Sequence, residues 1–234
     1  MADSTRGAII AAGEGSRLRA DGYRVPKPMV EVAGLPLIGA VLRNFTTAGI
    51  TAITIIVNEQ DRECVEWVRT RFPELEIDFI VKTTASSLES FRAVTERGPS
   101  GPMLVSTVDA WCAAEDFARF AAAAASRPDD ATVLAVTPFI SDEKPLWVTL
   151  GAGGRVEALG KVDGGLVTGG VYRISDRARR IAPARELGRL RDYLGWLHES
   201  GEPLYGEIIE MVVDVDRALD VASAEALARG ARRA

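Results

Sequence analysis

What most constrains this chain is the order of its apolar segments. Through the first half, short runs of strand length alternate with stretches whose apolar residues recur every three or four positions. That alternation builds β-α units feeding a mainly parallel sheet. "GAIIAA" from Gly7, "AITIIV" from Ala52, "EIDFIV" from Glu76 and "PMLVSTVDA" from Pro102 read as buried strands. Between them the pattern predicts three helices. The first is opened by Pro36, carries Leu37, Ile38, Val41, Leu42 and Phe45, and is stopped by Gly49. The second runs from Asp61 to Arg71, and the third starts at the Ser-x-x-Glu capping box of Ser86.

The second half has a different rhythm. "ATVLAVT", "LWVTLG", "RVEAL" and "GLVTGGVYRI" follow one another with only turns between the last three, which predicts antiparallel strands added to the parallel sheet. "ELGRLRDYLGWLHESG" reads as an amphipathic helix, "EIIEMVVDV" as one further strand, and "SAEALARGARRA" as a terminal helix. No repeat or linker divides the chain, and 234 residues with 47% hydrophobic content suffice for one sizeable core. The expectation is one α/β domain over residues 1–234.

Charge and cysteine content narrow the class of partner. A net charge of −5 argues against general nucleic-acid affinity, which needs Lys and Arg concentrated on one face. Cys64 and Cys112 lie far apart, with His198 the one histidine, too few ligands for a structural zinc site or a disulfide framework. Two reduced thiols in a cytoplasmic protein is the simpler expectation. No apolar run approaches a membrane span, and the first residues lack the charged start and long apolar centre of a signal peptide.

The stretch "AAGEGSRLRADGYRVPKP", Ala11 to Pro28, directly follows the first predicted strand. Glycines there leave backbone N–H groups open to close approach by an anion, and phosphate is the usual occupant. Two common phosphate loops fail on the residues. A Walker loop needs Lys after its second glycine, and none follows Gly13 or Gly15 at that distance. The dinucleotide fingerprint needs a third glycine where Leu18 stands. Arg17 offers a planar fork suited to β- and γ-phosphate oxygens, and Lys27, between two prolines, offers a point charge for an α-phosphate. As a loop lysine, Lys27 is expected to be exposed and of little weight in folding. Arg19 and Arg24 read equally well as solvated loop residues.

Taken together, the order A-A-G-x-G-S-R-L, then P-K-P, then V-x-G-x-P-L-I, ending at Ile38, resembles the signature of the sugar-phosphate and alcohol-phosphate nucleotidyltransferases. The resemblance implies a Rossmann-like, three-layer fold with a mixed, mainly parallel sheet of the nucleotide-diphospho-sugar transferase type. It implies that Ala11, Ala12, Gly13, Gly15, Ser16, Arg17 and Lys27 bind an NTP. The implied reaction is attack by an acceptor's phosphate on the α-phosphorus, with release of pyrophosphate, and Arg17 and Lys27 are the implied catalytic cations.

The same resemblance calls for a divalent metal, most often Mg2+. "LVSTVDAW" matches the family's metal-binding Asp after the central strand, which puts metal and substrate on Asp109. "DVDRALDVASAEALA" is similar to its closing acidic motif with Asp214 as metal ligand, although Arg217, Ala218 and Leu219 replace the usual Thr-Pro-Glu. Asp216 is then read as a helix N-cap. "GGRVEALGK" implies an acceptor-phosphate role for Lys161, with Lys144 in competition. "VTGGVYRI" implies backbone near Gly169 and Gly170 beside the acceptor; Tyr172 reads as lining or core. "KTTASSLESF" places Ser86 and Ser87 near the base or as helix caps, and is more like cytidylyl-type relatives acting on phospho-alcohols. Uridylyl, guanylyl or thymidylyl transfer to a sugar 1-phosphate is the alternative. A glycosyltransferase of related fold would use Asp214-x-Asp216 as its metal motif but would not need the P-K-P loop. The implied partners are an NTP and a phosphorylated small molecule, with no nucleic acid or membrane; the sequence is compatible with a homodimer.

Overall fold

The computed structural model describes residues 6–141, 144–160 and 165–231. Nine strands form its main sheet: β1 (Gly7–Ala11), β2 (Ala52–Val57), β3 (Glu76–Val81), β4 (Met103–Thr107), β5 (Thr132–Thr137), β6 (Trp147–Leu150), β7 (Val156–Leu159), β8 (Leu166–Ile174) and β9 (Leu204–Ile208). Neighbours run in the order β7-β6-β8-β4-β1-β2-β3, with β5 pairing both β8 and β9. The pairs β1 with β2, β1 with β4 and β2 with β3 are parallel, whereas β8 is antiparallel to β4, β5 and β6. This is the α/β Rossmann-like architecture that the sequence predicts.

Helices cover both faces because the strands are apolar on both. In β1, Ile9 and Ala11 join one buried cluster and Ala8 and Ile10 the other, the alternation of a strand with period two. The first cluster is closed by α2 (Leu37–Thr47), α3 (Arg62–Arg71), α5 (Ala114–Ala125) and α8 (Ala218–Ala231). The second is closed by α4 (Ser87–Glu96), α6 (Asp176–Arg180) and α7 (Leu190–Glu199). Cys64 and Cys112 are free thiols in the first core, and burial pushes each up to about 12.

Three differences from the sequence reading bear on function. The run "EIIEMVVDV" is not one strand: Glu207 and Ile208 end β9, and the chain then leaves the sheet before Val213–Asp214 pairs antiparallel with Ala110–Trp111. The amphipathic helix is shorter than its pattern and starts at Leu190. The last helix starts earlier, at Ala218. The break after β9 carries Asp214 out of the sheet and across to the end of β4.

Candidate active site

β1 and β4 are adjacent parallel strands reached by connections that leave in opposite directions across the sheet. Ligands of open α/β sheets collect at the carboxyl ends of such strands. The glycine loop leaves the end of β1, and Asp109 lies just past the end of β4.

The loop is shaped around Lys27. Gly15 takes φ 61°, and a Cβ there would lie 2.8 Å from Lys27 Cβ, so only glycine satisfies both the left-handed backbone and the close approach. Leu18 anchors the short helix α1 (Ser16–Ala20) in the core. Gly13 is exposed with open space around it.

Lys27 is not the exposed loop residue that the sequence suggests. Its side chain keeps 7% exposure, and its Nζ donates to Asp109 Oδ2 at 2.6 Å and to Asp216 Oδ1. The prolines and the 3₁₀ turn over Lys27–Met29 turn it inward, with Pro28 also buried. Burial alone pulls its pKa down, but Asp109, Asp216 and Asp214 outweigh that and hold it above the ordinary lysine value. Burial correspondingly pushes Asp109 up, while the charge and hydrogen bond of Lys27, with a bond from Thr107, bring its carboxyl below the usual range.

Asp216 likewise departs from the sequence reading. Its carboxylate is taken by Lys27 and by Arg17, whose Nη1 lies 2.5 Å from Oδ2. The start of α8 is capped by other groups: Asp220 Oδ2 accepts from the N–H groups of Asp216 and Arg217, and Asp21 Oδ2 from that of Ala218. The local motif favours a cap at a helix start, but two cations brought from the loop claim the carboxylate. Its spacing of two from Asp214 was the available signal, because extended residues i and i+2 share a face.

Backbone bonds lock the acidic segments together. Asp214 pairs with Ala110, and the N–H of Val215 donates to the carbonyl of Asp109 at 3.0 Å. One carboxylate oxygen from each of Asp109, Asp214 and Asp216 thus lies within 4.8 Å of the others. These donors, all hard oxygens, suit a cation such as Mg2+ or Ca2+.

A cleft of about 250 Å³ opens beside this cluster, lined by Asp109, Asp214, Gly169, Gly170 and Tyr172 and by the start of α7. β8 is irregular between Thr168 and Tyr172. Gly170 takes φ 72°, and a Cβ there would come within 2.7 Å of Thr107 Oγ1 and 2.9 Å of Ala110 Cβ. Burial pushes the Tyr172 phenol up to about 12; a Thr168 hydrogen bond and Arg191 pull against it, and Asp214 and Asp109 push with it.

Ser86 caps α4 by accepting from the Glu89 N–H at 3.2 Å, but the reciprocal bond goes from the Ala85 N–H to Glu89 Oε2. Ser87 lines the cleft, its Oγ accepting from the Leu190 N–H at 3.0 Å. Lys161 lies outside the described residues. Lys144 is exposed, and its carbonyl accepts from Arg191 at 2.6 Å. Arg189 and Arg191, which also line the cleft, went unread in the sequence because the helical pattern there shows only its buried face.

The model of the MobA-like NTP transferase domain matches residues 7–181, which hold the loop, Asp109 and the parallel strands β1 to β4. The chain belongs to that family. Over 102 residues this NTP transferase domain is 29% identical to a 2-aminoethylphosphonate cytidylyltransferase of Lancefieldella rimae, covering 42% of this chain and 41% of the relative. Over 113 residues it is 33% identical to a mannose-1-phosphate guanyltransferase of Kluyveromyces lactis, covering 46% and 31%. The chain thus spans less than half the length of these curated relatives in the matched regions. Among solved structures, the inositol-1-phosphate CTP transferase from T. maritima superimposes with a TM-score of 0.81 over 95% of this chain and 96% of that one. At 18% identity that likeness establishes the fold. Among the described residues no helix of the domain is long and apolar enough to cross a membrane.

Proposed function

We propose that the protein transfers an NMP from an NTP to a phosphorylated small molecule and releases pyrophosphate, residues 1–234 acting as one unit. The observation that carries this is the convergence of three carboxylates with Lys27 and Arg17 where the glycine loop meets the end of β4. Nucleotidyl transfer asks for positioning and charge neutralisation rather than a covalent intermediate, and both are provided there.

Asp109, Asp214 and Asp216 would hold a divalent cation, Mg2+ in our reading. Bound there, it supplies Lewis-acid polarisation of the α-phosphate and neutralises charge on the leaving pyrophosphate. Lys27, paired with Asp109 and Asp216, offsets their charge and would stand beside the held cation as a point charge for the α-phosphate. Arg17 meets the β- and γ-phosphates along the loop from Ala11 to Ser16. Gly169 and Gly170 let the acceptor approach Asp109, Lys161 adds a cation for its phosphate, and Ser86 and Ser87 stand near the base.

For the base we favour CTP, because the aminoethylphosphonate cytidylyltransferase supports it by sequence, with a small phosphonate or phospho-alcohol as acceptor. GTP with a hexose 1-phosphate is the second reading, favoured by the match to the mannose-1-phosphate guanyltransferase. A site that hydrogen-bonds one base edge rejects the others strongly, so one NTP should dominate. The test is pyrophosphate release with Mg2+ from CTP, UTP, GTP and dTTP, each against 2-aminoethylphosphonate, phosphocholine, inositol 1-phosphate, mannose 1-phosphate and glucose 1-phosphate. Release with CTP and a phosphonate or phospho-alcohol supports the first reading, and release with GTP and mannose 1-phosphate the second. Release with no pair overturns nucleotidyl transfer.

The cytoplasm remains our expectation for its location, and a homodimer a compatible state.

A further inference from the structure

We infer that the protein has a second small-molecule site, at the end of the sheet opposite the active site, which takes an organic carboxylate with an apolar body. A cavity of about 410 Å³ opens there, where β1 and β4 begin. Ala48, Ile50, Met103, Ala118 and Ala121 give it an apolar lining, and Arg6, Arg173 and Arg179 stand in its wall with Asp129. Arg6 directly precedes β1, and Arg173, on β8, pairs in register with Leu104 at the start of β4. Asp109 lies past the other end of β4, about 15 Å of extended chain away.

Three guanidiniums around an apolar cavity leave positive charge there. Arg173 and Arg179 are buried, and their hydrogen bonds go mostly to backbone: Arg173 donates to the carbonyls of Pro128 and Ala131, and Arg179 to those of Thr95, Pro99 and Gly101. Carbonyls satisfy donors without cancelling a charge. The carboxylates that pair with the three arginines are Glu76, Asp129 and Asp176; Asp129 and Glu76 stand in water at 90% and 75% exposure, where pairing is weak. Burial, with the charge of Arg180, holds the Arg179 guanidinium below its ordinary value although Asp176 raises it. Arg6 supplies the contact. Its Nε is buried and has no acceptor among the described residues, and its Nη1 reaches Glu76 only at 3.3 Å. An orphaned donor of this kind is costly. Turning the side chain into the cavity would bring its Nε and Nη2 edge onto the two oxygens of a carboxylate. One such fork and an apolar lining favour a monoanion, because a phosphate dianion would carry a second charge into apolar surroundings.

The probe is benzoate, titrated by calorimetry into the unaltered protein. Saturable binding is expected, and none from benzamide, which keeps the ring and loses the charge. Arg6→Gln should weaken benzoate at least about tenfold, the scale of a charge-assisted hydrogen bond, and Arg6→Lys should recover part of that loss. Ala121→Leu, which fills the cavity from α5, should abolish binding while a retained thermal midpoint shows that the chain folds; if it does not fold, the two Arg6 variants still decide. CTP with Mg2+ should not displace benzoate, since the active site lies at the other end of β4. Failure of benzoate to saturate, equal binding by Arg6→Gln, or displacement by CTP would each overturn the inference, and tighter binding of phenyl phosphate than of benzoate would overturn the carboxylate class. Benzoate binding that needs Arg6 in a protein that releases no pyrophosphate from any NTP would sink the proposed reaction and leave this second site standing.

Discussion

Asp109 looks onto two surroundings of opposite character. On the loop side its carboxylate is held by Lys27, which also bridges Asp216, so charges that would be costly to bury singly are buried together. On the cleft side, β8 bends past it at Gly170, and the nearest wall carries a half-buried Arg191 and an exposed Arg189. The loop wall is built around paired charge, and the cleft wall leaves room. That division suits a reaction whose charge requirements are constant and whose acceptor is what must be chosen.

The strongest way to break this comparison is at its shared residue. Asp109→Asn keeps the shape of the side chain and removes its charge, and should lower pyrophosphate release by about a thousandfold, the scale of losing a cation or preorganised electrostatic group from such a site. Turnover close to the unaltered rate would show that the acidic cluster does not serve the reaction.

Lys27→Met tests the loop wall alone, with a loss of about a hundredfold in turnover expected from removing one phosphate cation. It should also change the response to pH. Because Asp109 has a depressed native pKa, its contribution to stability is present above 3.8 and is lost as pH falls through the native value. Without Lys27, burial and the neighbouring carboxylates raise Asp109 above its unfolded value, so acidification should then stabilise. The unaltered protein should therefore lose thermal midpoint through this group only below about pH 4 and be flat above it, whereas the variant's midpoint should fall as pH rises above about 4. Parallel curves would mean that the lysine does not govern the carboxylates.

Gly170→Ala probes the cleft wall. The left-handed backbone and the contact with Thr107 Oγ1 predict a loss of about 1–3 kcal/mol in a denaturant titration. Activity should fall too, since Thr107 bonds Asp109. An unchanged midpoint would show that β8 can shift without cost.

The smallest effect is expected at Ser86→Ala, where loss of the N-cap should cost about 1 kcal/mol. A change confined to stability would make Ser86 a cap and nothing more, whereas a rise in the NTP KM alone would place it at the base.

The sequence by itself determined the parallel half of the fold, the glycine loop and the position of Asp109 at a strand end. Those features are local: period-two and period-3.6 patterns, turn glycines and a contiguous motif record the physics of neighbours in the chain. It also pointed to Asp214, though by resemblance. What it misjudged depends on partners distant in sequence. Whether Lys27 is exposed or buried is decided by Asp109 and Asp216, 82 and 189 residues away. Whether Asp216 caps a helix or meets two cations is decided by where the chain goes after β9, a break hidden by the apolar residues on either side of Glu210. The fold of the cleft, and with it Arg191, belongs to tertiary structure for the same reason: electrostatic pairing acts through space, and a periodic pattern reports only which face of an element is buried.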